Sequence, residues 1–281
     1  MRNIALAVLL TFPHLTIATA MAQSFASPTN SVNELVREVI TNELKQSDVD
    51  RSRWTYDLIA DEGGQQRTKR VVEMRDGSIE RLVAVNGQAL TIDKQQEEKR
   101  RIEQFVSNPD EQKKVKQVQA KDAAQCATFL KMMPEALVFS DGGQEGDLRR
   151  LTFKPNPTFQ PPSWQARVLH AMAGELFIHT EDRRLAMING QLVEDVKFGG
   201  GLLGHLKAGG HFHVERTNIG SGHWEMTLLD VQMNGKALLF RTIAVQHKEV
   251  RTNFYRVGDN LTAHDAAETL NNHIVLASVR R

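Results

Sequence analysis

Cysteine is almost missing from this chain. Cys126 is the only one in 281 residues, so no intramolecular disulfide can form and the fold must be held by packing alone. Charge of one sign is missing too. Lys and Arg number 35 against 34 Asp and Glu. That balance argues against a nucleic-acid binder, which carries a strong basic excess. Trp is limited to Trp54, Trp164 and Trp224. There is no CxxC, no HExxH, no Walker loop and no dinucleotide fingerprint, so no catalytic, metal or cofactor site is expected from motifs. No repeat at a period of 20–50 residues is visible.

One apolar run is present, at the start. Residues Met1 to Ala20 give a single positive residue, Arg2, and then an apolar core broken by Pro13 and His14. Ala20-Met21-Ala22 follows as a small-residue cleavage site. This reads as a secretory signal peptide over 1–22, cut near Ala22, and predicts a periplasmic or secreted protein. The run is too short and interrupted for a permanent span, so no transmembrane segment is expected after cleavage. Its removal takes away only Arg2 and leaves a mature chain, 23–281, with no formal net charge.

The mature chain is rich in short β-type runs separated by turn residues. Glu175–His179, Arg183–Ile188 and Gln191–Phe198 alternate between apolar and polar positions, as do Trp224–Val231 and Ala237–Val245. Asn189-Gly190, Asn234-Gly235 and Asp76-Gly77 fall between such runs. Each predicts a tight hairpin, because a type I′ turn needs positive φ at both central residues. Arg53–Ile59, Thr68–Met74 and Ile79–Val85 predict an earlier meander ended by Asn86-Gly87, and Glu135–Ser140 and Leu148–Phe153 predict two strands about Asp141-Gly-Gly143. Gln165–Met172 reads as a short helix or as strand running on into Gly174–His179, the strand being favoured.

Helical periodicity is confined to a few stretches. Ser31-Val-Asn-Glu34 matches a capping box. Val32, Leu35, Val36, Val39, Ile40 and Leu44 then recur at helical spacing, predicting a helix over about 32–45 whose apolar face lies on a sheet. A charged helical insertion is predicted at about 92–133, divided by Pro109 and stopped by Pro134. Lys94 to Lys121 holds eight basic and five acidic residues. It reads as a solvated face or as a surface for an anionic partner or membrane head groups. Val115, Val118, Cys126, Phe129, Leu130 and Met133 share one face of the second helix, which predicts a buried, inert thiol. Thr262 to Asn271 predicts a short helix.

Candidate chemistry is thin. His205, His211, His213 and His223 fall in one span, and His211 and His213 share a strand face. They could bind zinc or copper with a third ligand, but the spacing fits hydrogen-bonded structural histidines better. Gly199–Gly210 lacks the strand-loop-helix context of a phosphate loop and reads as a corner. Gly220-Ser221-Gly222-His223 is not a nucleophile elbow and reads as a turn. What remains is the apolar alternation. Leu176/Ile178, Leu185/Met187, Val196/Phe198, Met226/Leu228 and Leu238/Phe240 are pairs at period two. They predict either a filled core beneath the helices or an apolar wall that holds a hydrophobic ligand.

The layout is export signal, amphipathic helix, β-meander, helical insertion and longer meander. With Trp54–Ile59, the Val71–Val85 hairpin and Gly174–His179 leading into Arg184–Gly190, it resembles the periplasmic lipoprotein-carrier superfamily, the LolA/LolB- and RseB-like half-barrels. The similarity covers most of the mature chain and is one of order. It implies a single mainly β (α+β) domain: a curved antiparallel open half-barrel whose concave side is covered by helices, with a cavity for lipid tails. The expected function is non-enzymatic binding of a lipid or lipidated protein between sheet and helices, lined by Leu176, Ile178, Leu185, Met187, Val196, Phe198, Met226 and Leu228. The alternative is a protein-interaction or envelope-stress module that meets an envelope partner through its charged helices.

Overall fold

The computed structural model describes residues 28–62, 64–198, 204–237 and 241–279. The expected leader and its cleavage point, Leu202, Leu203, Leu238 and Phe240 lie outside them. The elements in order are α1 (Pro28–Val49), β1 (Arg53–Glu62), β2 (Gln65–Met74), β3 (Gly77–Val85), β4 (Gln88–Ala89), α2 (Ile92–Val106), α3 (Pro109–Ala136), β5 (Leu137–Glu145) and β6 (Leu148–Pro155). There follow α4 (Trp164–His170), β7 (Met172–His179), β8 (Arg184–Leu192), β9 (Val196–Phe198), β10 (Gly204–Leu206), β11 (His211–Asn218), β12 (Trp224–Ala237), β13 (Arg241–Val257) and α5 (Ala263–Val279).

The strands form one antiparallel sheet in the order β4-β3-β2-β1-β13-β12-β11-β8-β7-β6-β5, with β9 and β10 attached beside β12. The sheet is open: it is not closed into a barrel. It is nevertheless curled, and α3 shows why. Near its start Lys116 bonds Asp76 and Gln119 bonds Ser78, both at the β2–β3 turn. Near its end Met133 is buried with Leu137 and Phe139 of β5. From Val115 to Met133 a helix advances about 27 Å at ~1.5 Å per residue. The nine strand spacings from β3 to β5 would span about 43 Å if flat. The helix is therefore a bowstring across a bent sheet, and its inner side faces the concave wall.

Two of the three dipeptides expected to turn the chain do not. Asn189-Gly190 lies inside β8, where Gly190 pairs with Gly174 on one side and Phe212 on the other. A Cβ on Gly190 would sit 2.3 Å from the Phe212 ring, so the glycine is there to admit an aromatic ring. Asn234-Gly235 lies inside β12, and a Cβ on Gly235 would meet the His205 carbonyl at 2.2 Å. That glycine admits β10. Asp76-Gly77 does reverse the chain, but only Gly77 of the two has positive φ. The primed geometry instead belongs to Asn86 and Gly87, with φ of 51° and 74°, which join β3 to β4. Gly87→Ala should therefore cost about 1 kcal/mol, read as a lower urea midpoint.

Other boundaries shift for local reasons. Of the two readings of Gln165–Met172 the helix holds as far as His170, in α4, capped by the Ser163 hydroxyl, which accepts from Ala166 N–H, and Met172 opens β7. Asp141-Gly-Gly143 is an irregularity within the β5–β6 ladder rather than a turn. α1 begins at Pro28, before the expected capping box. Pro134 sits inside the last turn of α3, which runs to Ala136. The insertion is α2, capped by the Thr91 side chain, and α3, capped by Asn108 with Pro109 in its first turn.

Three bodies of packing hold the sheet, the smallest being Trp54, Tyr56 and Val71 with Leu58 and Phe254 against them. Val32, Leu35, Val36, Val39 and Ile40 of α1, with α4 and the end of α3, cover Leu151, Leu176, Ile178 and Ile188. Burying each such side chain contributes about 1.5–3 kcal/mol. Val72, Met74 and Ile79 pack against Ile102 and Phe105 of α2 and Ala266 and Leu270 of α5.

Candidate functional site

One row of the sheet runs through the whole concave wall. Leu151, Leu176, Ile188, Val214, Leu229, Glu249, Ala60 and Arg67 are partners in turn from β6 across to β2. Residues directly opposite in a ladder point to the same face. The row changes character along its length. Leu151 and Leu176 are 0% and 1% exposed beneath α1, whereas Val214 and Leu229 are only half-buried. Beyond them come Glu249, the buried Ala60 and Arg67. The next row, Lys69, Leu58 and Arg251, is half-buried as well. Opposite this half stands the middle of α3, where Lys116 to Cys126 are all exposed although both ends of the helix are seated. The concave wall is thus filled under α1 and more open between α3 and the strands β1, β13, β12 and β11, where Leu58, Val214 and Leu229 are half-buried although Tyr56 and Ala60 of β1 are buried.

The expected lining residues divide accordingly. Leu176, Ile178, Leu185 and Val196 are packed in the main core with α1. Met187 is on the other face. Between Phe177 and Ile178 the β7–β8 register shifts, so that Met187 opposes Phe177 while Leu185 opposes Ile178. Ala186 is the extra residue, and it breaks the alternation that put Leu185 and Met187 on one side. Leu228 opposes Val250, and its neighbour Leu229 is the one on the concave row, so Leu228 points outward. A second shift, beside Arg216, lies between Met226 and Leu228. Phe198 ends β9 opposite Gly204. The more open wall therefore presents Leu58, Val214 and Leu229, and of the expected set Met226 is half-buried opposite Arg216 at its border. Arg251 also faces it.

A buried ion cluster stands where the filled and uncovered halves meet. Glu43, 6% exposed, lies on the apolar stripe of α1. Its carboxylate accepts from Arg184 Nε at 2.9 Å and Nη2 at 3.0 Å, from Leu185 N–H at 2.8 Å and from Arg216 Nη1 at 2.5 Å. Burial works against its charge. The Arg184 bonds, the Arg216 charge and the Leu185 amide outweigh that and hold the carboxyl below its ordinary value. Cys126 lies in the field of the same Arg216 and Glu43, with its thiol pushed up by burial. The residue itself is exposed on α3, which corrects the expectation of a cysteine sunk in an apolar stripe.

Further along the wall, the Arg251 guanidinium lies 5.4 Å from the Tyr56 ring centroid and donates to Glu249 at 2.9 Å. Burial, against the Arg251 charge and together with the Glu73, Glu225 and Glu249 carboxylates, pushes the Tyr56 hydroxyl up to about 12. Glu73 is pushed up to about 7, first by burial and then by the Glu225 carboxylate. Glu225 is raised by burial as well. Glu73 accepts the Trp54 N–H at 3.0 Å.

Ser52, His223 and Asp50 also meet. Ser52 Oγ and Asp50 Oδ2 both approach Nδ1 of His223, at 3.3 and 2.8 Å. A serine relay needs its hydroxyl and carboxylate on opposite ring nitrogens. This cluster instead brackets the end of α1 to β1 and β12. Of the other histidines, His213 bonds Glu215 on the outer face of β11 and His205 lies on β10. Among the described residues no group of three or more His, Cys, Asp or Glu side chains is placed to hold a metal ion. Ser221 sits in a turn at φ 53°. No described helix is long and apolar enough to cross a membrane.

The site is thus the uncovered half of a bent, open antiparallel sheet with a helix strung across it. No protein-family model, curated protein or solved structure matches the chain.

Proposed function

We propose that this is an exported, non-catalytic binding protein that takes an amphiphile, a lipid or a lipidated protein, into the uncovered half of its concave wall. The observation that carries the reading is the row from Leu151 to Arg67. Its large apolar members are buried where α1 covers them, and Val214 and Leu229 are half-buried where α3 passes over. Val214, Leu229 and Leu58 offer an apolar bed, and Arg251, Glu249 and Lys69 lie beside it for a polar head. The layout shared with the periplasmic lipoprotein carriers supports the same reading, as does the apolar leader.

The test is to purify the chain from an exporting host without detergent and to analyse extracted lipids by mass spectrometry. An amphiphile should co-purify. Leu229→Lys should reduce its yield about tenfold, equivalent to ~1.4 kcal/mol, at unchanged melting temperature. If none co-purifies and a fluorescent fatty-acid probe fails to bind, the cargo reading is abandoned. The bare middle of α3 is then a surface for a protein partner.

A further inference from the structure

A second recess lies at another place, the rim formed by the β5–β6 hairpin, the β7–β8 turn and the first half of α1. It is a cleft of about 340 Å³. That is at the small end of the range for ligand pockets, suited to a group of a few heavy atoms with a short apolar attachment. Leu35 and Ile178, 7% and 1% exposed, form its apolar floor. Its charged walls are two arginines and one aspartate: Arg149, Arg183 and Asp141.

The aspartate is already engaged. Asp141 Oδ1 accepts the Gly143 N–H at 3.0 Å and Oδ2 accepts from Arg149 Nη2 at 2.8 Å. Those two bonds hold its carboxyl below the ordinary value and aim Arg149 along the cleft wall. Arg149 spends one of its five N–H donors in this way. Arg183 is less satisfied. Among the described residues its ion contact is Glu38 at 3.8 Å, beyond hydrogen-bond range. It also holds a left-handed backbone, φ 51°, which is uncommon for a long side chain. Arg183 closes the β7–β8 turn beside the recess with its side chain 48% exposed, so its guanidinium is accessible to an incoming anion.

We propose that this rim cleft binds a carboxylate carried on a short apolar group, with the anion between Arg149 and Arg183 and the apolar part on Leu35 and Ile178. The source is either a free medium-chain acid or an apolar peptide C-terminus. Both present the same planar anion, which guanidinium groups match with paired hydrogen bonds. The cleft lies away from the wall beneath the middle of α3, so the proposal stands whether or not the concave wall carries cargo.

Titration calorimetry of the full mature chain at low salt tests it, with four probes: octanoate, octanol, an acetylated tripeptide ending in leucine, and the C-terminal amide of that tripeptide. At least one acid should bind saturably, and its neutral counterpart should bind at least tenfold more weakly. Tighter octanoate assigns the free acid, and tighter peptide acid assigns the C-terminus. Arg183→Asn keeps a residue that tolerates the left-handed backbone, and Arg149→Gln is a second, independent variant. Each should weaken the acid about tenfold and leave the melting temperature within a degree or two. The proposal is overturned if neither acid binds, if acid and neutral probe bind alike, or if both variants bind the acid within twofold of the parent.

Discussion

Glu43→Ala should destabilise the protein by about 3–5 kcal/mol, the cost of leaving buried cations without their counter-ion. At ~2–4 °C per kcal/mol for a chain of this size, the melting temperature should fall by about 6–20 °C. Among the described residues Glu43 is the acid bonded to both Arg184 and Arg216. Their side chains are 11% and 20% exposed, so neither can recover full hydration when it is removed. The Leu185 amide loses its acceptor as well. Replacing Glu43, Arg184 and Arg216 together by leucine should recover much of the loss, because the penalty comes from the stranded charges. Recovery will be incomplete, since the Trp224 carbonyl also loses the Arg216 donor. A loss under about 1 kcal/mol for Glu43→Ala would show that water reaches the cluster freely. The sign with pH follows from the depressed carboxyl. Its contribution is present above the ordinary value of 4.5 and is lost as pH falls through the lower folded value.

Glu43 also shows how much of the site could be read from residues alone. Val32, Leu35, Val36, Val39 and Ile40 gave away the buried stripe of α1 through their spacing. Position 43 continues that stripe by the same 3-and-4 rhythm, and an acid there demands a buried cation. That signal was available, but nothing local names Arg184 and Arg216, which are brought to it by long-range pairing. The sheet itself was legible because its strands alternate. Its face assignments were not, because one extra residue at Ala186 reverses which side Met187 takes. The hairpin dipeptides misled for a related reason. Asn-Gly suits a primed turn, but a glycine also serves where Phe212 or β10 must approach the backbone, and only the packed neighbour distinguishes the two uses. The open, mainly antiparallel architecture survived these errors because it depends on the sum of the strands.

Glu73→Gln should stabilise the protein above neutral pH. The Glu73 carboxyl is pushed from 4.5 up to about 7 by burial and by Glu225. The folded state therefore holds a proton that the unfolded chain gives up between those two values. Linkage then requires stability to be greatest below pH 4.5, to decline as pH rises through this window, and to level off above about 7. A shift of this size corresponds to at most ~3 kcal/mol, and partial hydration reduces it to about 2 kcal/mol. Glutamine keeps an oxygen to accept the Trp54 amide and carries no charge, so it removes the cost and leaves the bond. Denaturant melts at pH 5 and pH 8 should show the parent weaker at pH 8 from this source, and the variant with that difference largely abolished. At pH 8 the variant should melt about 4–8 °C higher. The same group reports on the concave wall. An anionic amphiphile seated near Arg251 would raise the Glu73 carboxyl further by like-charge repulsion, and a cationic head would lower it. The pH dependence of cargo release, with and without Glu73→Gln, then distinguishes the two. An unchanged slope in the variant would place the titrating group elsewhere.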